Sequence, residues 1–192
     1  MHIPTYGLPE NLPEPTDDGG AAHLPGQALP DLSLPAHDGT AVNLGQVSEA
    51  RWVLFIYPTT GVPGHDMPDG WDALPGARGC TPEACGFRDA IADLRDAGTE
   101  IVYGLSHQNS SYQAELAQRL HLPYRLLCDA QMKLGKRLNL PTFRVGDERY
   151  YSRLTLILRG SRIEHVFYPI FPPNEHAAQV LAWLRANPCP ST

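Results

Sequence analysis

Two continuous apolar runs, separated by an amphipathic segment, dominate the pattern of hydrophobic and polar positions in the middle of the chain. Residues 52–57 (WVLFIY) and 101–105 (IVYGL) have the length and the aromatic and β-branched content of strands that are buried on both faces. Between them, apolar residues recur at helical spacing ahead of Gly98, a natural helix stop; they are Ala84, Phe87, Ala90, Ile91 and Leu94. This order predicts a strand, a helix and a second strand of one sheet.

The flanking segments extend the alternation of strands and helices. Residues 29–34 and 41–44 surround an Asp-Gly turn and predict a short hairpin. Ser110 with Gln113 forms a possible capping box for a helix. Later elements are predicted as a strand at 124–127, a helix at 132–138, a hairpin at 154–158 and 163–168, and a last helix capped by Asn174. The pattern predicts an α/β, thioredoxin-like fold with an N-terminal hairpin and a central mixed, mostly parallel sheet flanked by helices.

Two stretches rich in proline and glycine interrupt this pattern. Residues 1–28 carry five prolines and few large apolar groups, so burial cannot offset the entropy of ordering them, and we predict a flexible or loosely draped arm. Residues 61–79 form a predicted loop inserted in the domain at 29–188, with Trp71 as its one large anchor. Long loops in compact domains are often functional.

Charge and composition exclude several classes of function. The net charge of −6 disfavours nucleic-acid binding, which needs a concentrated basic surface. No apolar run reaches the roughly 18 residues of a membrane span, and we find no secretory signal. We therefore expect a cytoplasmic, reducing environment, in which the four cysteines are catalytic, metal-bound or simply buried rather than structural disulfides.

The segment PGARGCTPEACGFRD, residues 75–89, places Cys80 and Cys85 at the predicted start of a helix. A structural metal site usually needs two close pairs of ligands, whereas Cys128 and Cys189 are isolated, and we predict no metal. Within a helix, residues five positions apart have Cα atoms about 8.6 Å apart. Disulfides rarely tolerate more than about 7 Å, so a bond between the two cysteines requires the helix start to unwind.

A reactive thiol is the third interpretation of this pair. A helix N-terminus favours a thiolate and lowers its pKa, and Thr81-Pro82-Glu83 is typical of a helix start. Cys80 would then be the nucleophile and Cys85 the thiol that later attacks its oxidised sulfur. The spacing by itself is equally compatible with two small buried apolar side chains.

Residues 80–89 (CTPEACGFRD) closely resemble the active-site helix of peroxiredoxins of the peroxiredoxin Q, or bacterioferritin comigratory protein, group. Further segments from about 28 to 186 resemble the same group, at 30–35, 38–39, 55–58, 103–106, 126–129 and 153–158. The resemblance therefore covers essentially the whole predicted globular part of the chain.

The resemblance implies an atypical two-cysteine peroxidase that reduces hydrogen peroxide and organic hydroperoxides without a cofactor. Cys80 would become a sulfenic acid, Cys85 would form an intramolecular disulfide with it, and thioredoxin or a similar dithiol would recycle both. Arg153 would stabilise the thiolate and the peroxide, and Pro58 would shield the site. We also predict a monomeric or weakly associating protein.

The sequence departs from the family pattern at one position beside Cys80. The family motif has a threonine three residues before the reactive cysteine, and Ala77 stands there instead. An insertion separates Pro58 from Cys80, and Thr59 or, as our candidate, Thr60 would supply the hydroxyl if the loop folds back. Arg78 is an extra cation that would either help lower the pKa of Cys80 or face solvent.

Two alternatives to an efficient peroxidase remain open at this point. One is a redox sensor or thiol–disulfide exchange module of the same fold, motivated by Ala77. The other is a non-catalytic binding protein that recognises a partner through residues 61–79 and the N-terminal arm. We expect Cys128 to pack at a strand end and Cys189 to be a bystander.

Overall fold

The computed structural model describes residues 7–189. Its elements are β1 (Ser33–Pro35), β2 (Ala41–Asn43), β3 (Arg51–Ile56), α1 (Cys80–Asp89), α2 (Ile91–Asp96), β4 (Ile101–Ser106), α3 (Ser110–Leu120), β5 (Arg125–Cys128), α4 (Lys133–Leu138), β6 (Thr142–Val145), β7 (Glu148–Tyr151), β8 (Leu154–Arg159), β9 (Arg162–Phe167) and α5 (His176–Ala186). Within this part of the chain, no helix has both the length and the apolar character needed to cross a bilayer.

A five-stranded sheet in the order β5-β4-β3-β8-β9 forms the centre of the molecule. Strands β3, β4 and β5 are parallel, whereas β8 runs antiparallel to both β3 and β9. Four of the five strands therefore point the same way, which confirms the predicted mixed sheet. Strands β1 and β2 pair as the predicted N-terminal hairpin.

The alternation of side chains along β3 creates a core on each face of the sheet. Trp52, Leu54 and Ile56 point into one core, which the hairpin β1–β2 and α4 cover. Val53 and Phe55 point into the other, together with apolar residues of α1, α2, α3 and α5. Phe87, in the last turn of α1, stacks on Phe55 with ring centroids 4.3 Å apart, so the helix is packed against the central strand.

Local details at the helix starts differ from the predictions. The helix predicted to run to Gly98 is divided at Ala90 into α1 and α2. Asn109, not Ser110, caps α3, because its side chain accepts the Tyr112 N–H at 3.0 Å. Gln113 is turned into the core instead, where it donates to the Leu127 carbonyl at 2.8 Å, and no capping box forms.

Two further differences lie in the second half of the chain. Asn174 does not cap α5, because Pro173–Glu175 forms a 3-10 turn and Glu175 precedes the helix. The hairpin β6–β7 was not predicted, and its turn contains Gly146, which has a positive φ of 57°. This hairpin matters for the site, because it supports the inserted loop.

The inserted loop is held by a small aromatic cluster, as expected of Trp71. Trp71 is buried and packs on Phe143 and Tyr150 of the hairpin β6–β7, with ring centroids 5.8 and 5.0 Å away. Ala77 is fully buried in the same cluster. The loop therefore has its own apolar anchor close to Cys80.

The N-terminal segment is more tightly packed than the predicted arm. Ala21 and Leu24 are buried in the core, and the Gly26 N–H donates to the Ile163 carbonyl at 2.8 Å along the edge of β9. The segment packs in this way because a few apolar residues near its end reach one face of the central sheet. The packed domain thus begins before residue 29, and residues 1–6 lie outside the described part.

A buried imidazole is expected to make the fold acid-sensitive. His176 is fully buried, and its Nε2 lies 2.8 Å from the Thr155 hydroxyl oxygen. Burial lowers the pKa of His176 from 6.5 to about 4, so between these pH values the unfolded chain binds a proton that the folded chain does not. The stability that this group contributes is present above pH 6.5 and falls by about 3 kcal/mol on acidification.

Denaturant unfolding of the wild type and of His176→Gln at a series of pH values measures this effect. The unfolding free energy of the wild type should fall relative to that of His176→Gln as the pH falls from about 7 to about 4. Comparison at each pH cancels the contributions of other titrating groups. Parallel pH profiles of the two proteins would contradict the prediction.

Candidate active site

Cys80 is the first residue of α1 and lies at the bottom of a cleft of about 800 Å³. Its side chain is almost fully buried. The preceding residue, Gly79, has a φ of 105°, and a Cβ there would approach Pro173 Cγ to 2.3 Å and Leu8 Cδ2 to 2.9 Å. Only glycine fits this position. The backbone conformation of Gly79 sets where the helix starts and which way the Cys80 thiol points.

Arg153, immediately before β8, reaches the sulfur from the sheet. Its Nη2 donates to Cys80 Sγ at 3.2 Å, and also to the carbonyl oxygens of Ala77 at 3.3 Å and Arg78 at 3.1 Å. Its Nη1 donates to the Glu83 carboxylate. The guanidinium is almost fully buried, so it holds both the thiol and the turn that leads into α1.

The buried Arg153 guanidinium therefore hydrogen-bonds to two buried acidic groups, the Cys80 thiol and the Glu83 carboxylate. Burial raises the pKa of Glu83 to about 7, although Arg153 acts against this. Burial also raises the pKa of the Cys80 thiol; Arg153 lowers it, and the Glu83 carboxylate raises it further. The pKa reduction predicted from the helix N-terminus alone is thus outweighed. Cys80 loses its proton more easily when Glu83 carries one, so the two groups titrate as a coupled pair.

The loop that follows β3 completes the wall beside the sulfur. Pro58 is buried, and the Thr59 backbone N–H favours the Cys80 thiolate, which acts to lower the pKa of this thiol. The hydroxyl of Thr60 donates to Gln108 Oε1 at 3.2 Å, and Thr60 is almost fully buried. Thr59 is only half-buried and lines the cleft. Both threonines line the same cleft as Cys80, and Thr59 has the more accessible hydroxyl.

Cys85 lies in the same continuous helix as Cys80 and is half-buried. Both are free thiols in this structure. Since α1 is helical from its first residue, a bond between the two sulfurs requires its first turn to unwind. Cys128 is buried at the end of β5, and Cys189 is half-buried with its sulfur 3.4 Å from Arg159 Nη2.

The open side of the cleft is formed by parts of the chain that the family motif does not include. Residues 7–9 and 61–73 line it, together with Arg78. The Arg78 side chain is 40% exposed and pairs with Asp72 at 3.1 Å, so of the two expectations for this residue the structure favours the solvent-facing one. Glu83 and Gln108 are the polar site residues that the sequence analysis did not single out.

Comparisons with known proteins show the family of this chain. A family model described as Redoxin matches residues 24–181. The chloroplastic peroxiredoxin Q of Arabidopsis thaliana is 30% identical over 84% of this chain and 67% of its own length. A crystal structure of peroxidoxin BcpB from Mycobacterium tuberculosis is 27% identical, covers 87% of this chain and 100% of its own, and has a TM-score of 0.69. Peroxiredoxin Q of Xanthomonas campestris is 20% identical with a TM-score of 0.66 over 86% of this chain and 97% of its own, and shares the fold.

These matches cover the site as well as the fold. The matched region contains Cys80, Arg153 and the loop after β3. The chain spans about two thirds of the length of the plant relative, and the whole of the mycobacterial one. The chain belongs to the redoxin family and, within it, to the peroxiredoxin Q or bacterioferritin comigratory protein group of thiol-dependent peroxidases.

Proposed function

We propose that Cys80 is the peroxidatic cysteine and Cys85 the resolving cysteine of this chain. The Cys80 thiolate attacks one oxygen of a hydroperoxide, an S–O bond forms, the O–O bond breaks, and water or an alcohol leaves after taking up a proton. Cys85 then attacks the sulfenic sulfur, an S–S bond forms, and water leaves. A dithiol of the thioredoxin type supplies two electrons and two protons and restores both thiols.

The contact of Arg153 with Cys80 is the observation that carries this proposal. A buried guanidinium 3.2 Å from a thiol at the bottom of a cleft stabilises both the thiolate and the charge that develops on the departing oxygen. The same guanidinium fixes the carbonyl oxygens of Ala77 and Arg78, so it also positions the residue that attacks. No comparable pairing of a cysteine with a buried cation occurs elsewhere among residues 7–189.

The size of the cleft supports a substrate range that includes organic hydroperoxides as well as hydrogen peroxide. A volume of about 800 Å³ above Cys80 accepts a substituent much larger than a hydrogen atom. Thioredoxin as the reductant, the monomeric state and the cytoplasmic location stay predictions of the sequence. Each requires its own measurement, respectively with purified reductants, by light scattering and by fractionation of cells.

Peroxide consumption in the presence of thioredoxin and thioredoxin reductase tests the proposal. Cys80→Ser should abolish turnover, because serine is not a nucleophile at neutral pH without an activating base. Cys85→Ser should allow one equivalent of peroxide to react and then stall with the thioredoxin system, because no disulfide forms. Cys189→Ser is the matched control and should keep full activity.

Intact mass identifies the product at each stage. The oxidised wild type should have lost two hydrogens, and oxidised Cys85→Ser should have gained one oxygen. A wild type that forms the Cys80–Cys85 disulfide with disulfide reagents but consumes no peroxide would overturn the peroxidase proposal. That outcome would favour the alternative function, a thiol–disulfide exchange module of the same fold.

A further inference from the structure

Gln108 is a buried amide beside the active site that the peroxidase chemistry described above does not use. It follows β4 by two residues and is 8% exposed. Its Oε1 accepts the Thr60 backbone N–H at 3.0 Å and the Thr60 hydroxyl at 3.2 Å, and its Nε2 donates to the Thr60 carbonyl at 3.2 Å. One side chain thus pairs with both backbone groups of one loop residue, as a neighbouring strand would.

The amide of Gln108 is itself held in place by the sheet. The Gln108 N–H donates to Ser106 Oγ at 3.1 Å, and that hydroxyl donates to Gln108 Oε1 at 3.3 Å. Ser106 is the last residue of β4, which pairs in parallel with β3. The loop after β3 is therefore tied to the neighbouring strand by side chains at the point where the backbone ladder ends.

The loop that Gln108 holds lies in the wall of the same cleft as the thiol it influences. Thr59 precedes Thr60, and its backbone N–H favours the Cys80 thiolate. Thr59, Thr60 and Cys80 line one cleft. A shift of this loop by about 1 Å would weaken the interaction of the Thr59 N–H with Cys80, and a misplacement of that size can cost about a hundredfold in rate.

We propose that Gln108 is a positioning residue for peroxide reduction, which holds the loop of residues 58–60 so that the backbone N–H and the side chain of Thr59 stay beside Cys80. This inference rests on the proposed function of Cys80 and adds a residue that acts on the sulfur through the loop. It assigns Gln108 to the oxidation step. The later attack by Cys85 requires α1 to leave this loop, so Gln108 has no part in it.

Gln108→Met tests the proposal, because methionine has a similar size and makes none of the three bonds to Thr60. Single-turnover oxidation of Cys80, followed by tryptophan fluorescence, should slow by about 10- to 100-fold. Disulfide formation should proceed at the wild-type rate or faster. Gln179→Met is the control, since the Gln179 amide also makes one donor and one acceptor contact, to the Phe171 carbonyl and His176, within the C-terminal part of the fold.

A second readout separates positioning from general stability and from the peroxidase proposal. In proteins where serine replaces Cys85, Cys128 and Cys189, the pH dependence of Cys80 alkylation by iodoacetamide reports the pKa of this thiol without peroxide. Gln108→Met should raise that pKa, because the thiolate loses the Thr59 N–H, whereas Gln179→Met should not. If Gln108→Met raised this pKa in a protein that reduces no peroxide, the positioning role of Gln108 would stand although the peroxidase proposal had failed. Lower thermal stability with an unchanged pKa and unchanged oxidation rate would overturn the inference.

Discussion

Replacing Arg153 by methionine should lower the second-order rate constant of Cys80 with peroxide by about two to three orders of magnitude. The guanidinium is the buried cation that contacts the sulfur, and removing one such preorganised donor from an enzyme site typically costs about 10²–10³ in rate. Methionine keeps most of the volume and none of the charge. Stopped-flow measurement of Cys80 oxidation at several peroxide concentrations isolates this step from recycling.

The same substitution also has a structural cost that must be separated from the catalytic one. Glu83 would lose its partner at a site with no solvent exposure, and breaking a buried ion pair costs about 3–5 kcal/mol. Arg153→Met with Glu83→Gln should recover most of this stability in denaturant unfolding but none of the lost rate. A double variant that regains wild-type peroxide reactivity would show that Arg153 serves the fold alone.

Glu83→Gln by itself is the informative partner of these variants. It keeps a hydrogen-bond acceptor for Arg153 and removes the carboxylate that competes with Cys80 for the cation. The pKa of the Cys80 thiol should therefore fall, as measured by alkylation. Loss of peroxide reactivity in this variant despite a lower pKa would mean that the ion pair also sets the geometry of the guanidinium.

The start of α1 could be predicted from the sequence because its causes are local. Gly79, the proline at the first turn and the apolar spacing of Ala84 and Phe87 all act within about two turns of helix. The same holds for β3, whose burial follows from its own composition. The hairpin β6–β7 was missed because its strands are short and only half of their residues are apolar, and its stability comes from packing against Trp71 in a distant loop.

The polar part of the site could not be predicted from local sequence. Glu83 lies one turn after Cys80 in a helix whose polar residues are expected at the surface, and its burial depends on Arg153, 70 positions away. In the sequence, Gln108 is an ordinary polar residue that follows a strand. Its role depends on Thr60, 48 positions earlier, which only the fold places beside it. Arg153 itself was found through the resemblance to a family, since nothing in its neighbours points to Cys80.

Gly79→Ala should separate the two chemical steps of the reaction. A Cβ at this position would overlap Pro173 and press on Leu8, and the φ of 105° is unfavourable for any other residue. The folded first turn of α1 is the state in which Arg153 and Thr59 contact the sulfur, so its destabilisation should slow oxidation of Cys80 by at least about tenfold. Disulfide formation needs that turn to unwind, and it should therefore become faster.

Gly39→Ala is the matched control for the cost of a left-handed backbone alone. Gly39 has a φ of 83° in the turn between β1 and β2, and a Cβ there would meet nothing within 4 Å. Its replacement should lower stability by about 1–2 kcal/mol and leave both rates unchanged. In stopped-flow traces the oxidation phase depends on peroxide concentration and the disulfide phase does not, so both can be read from one experiment. If Gly79→Ala slowed the disulfide phase as well, unwinding of the first turn would not limit that step, and the close approach of Gly79 to Pro173 and Leu8 would instead be guiding Cys80 towards Cys85.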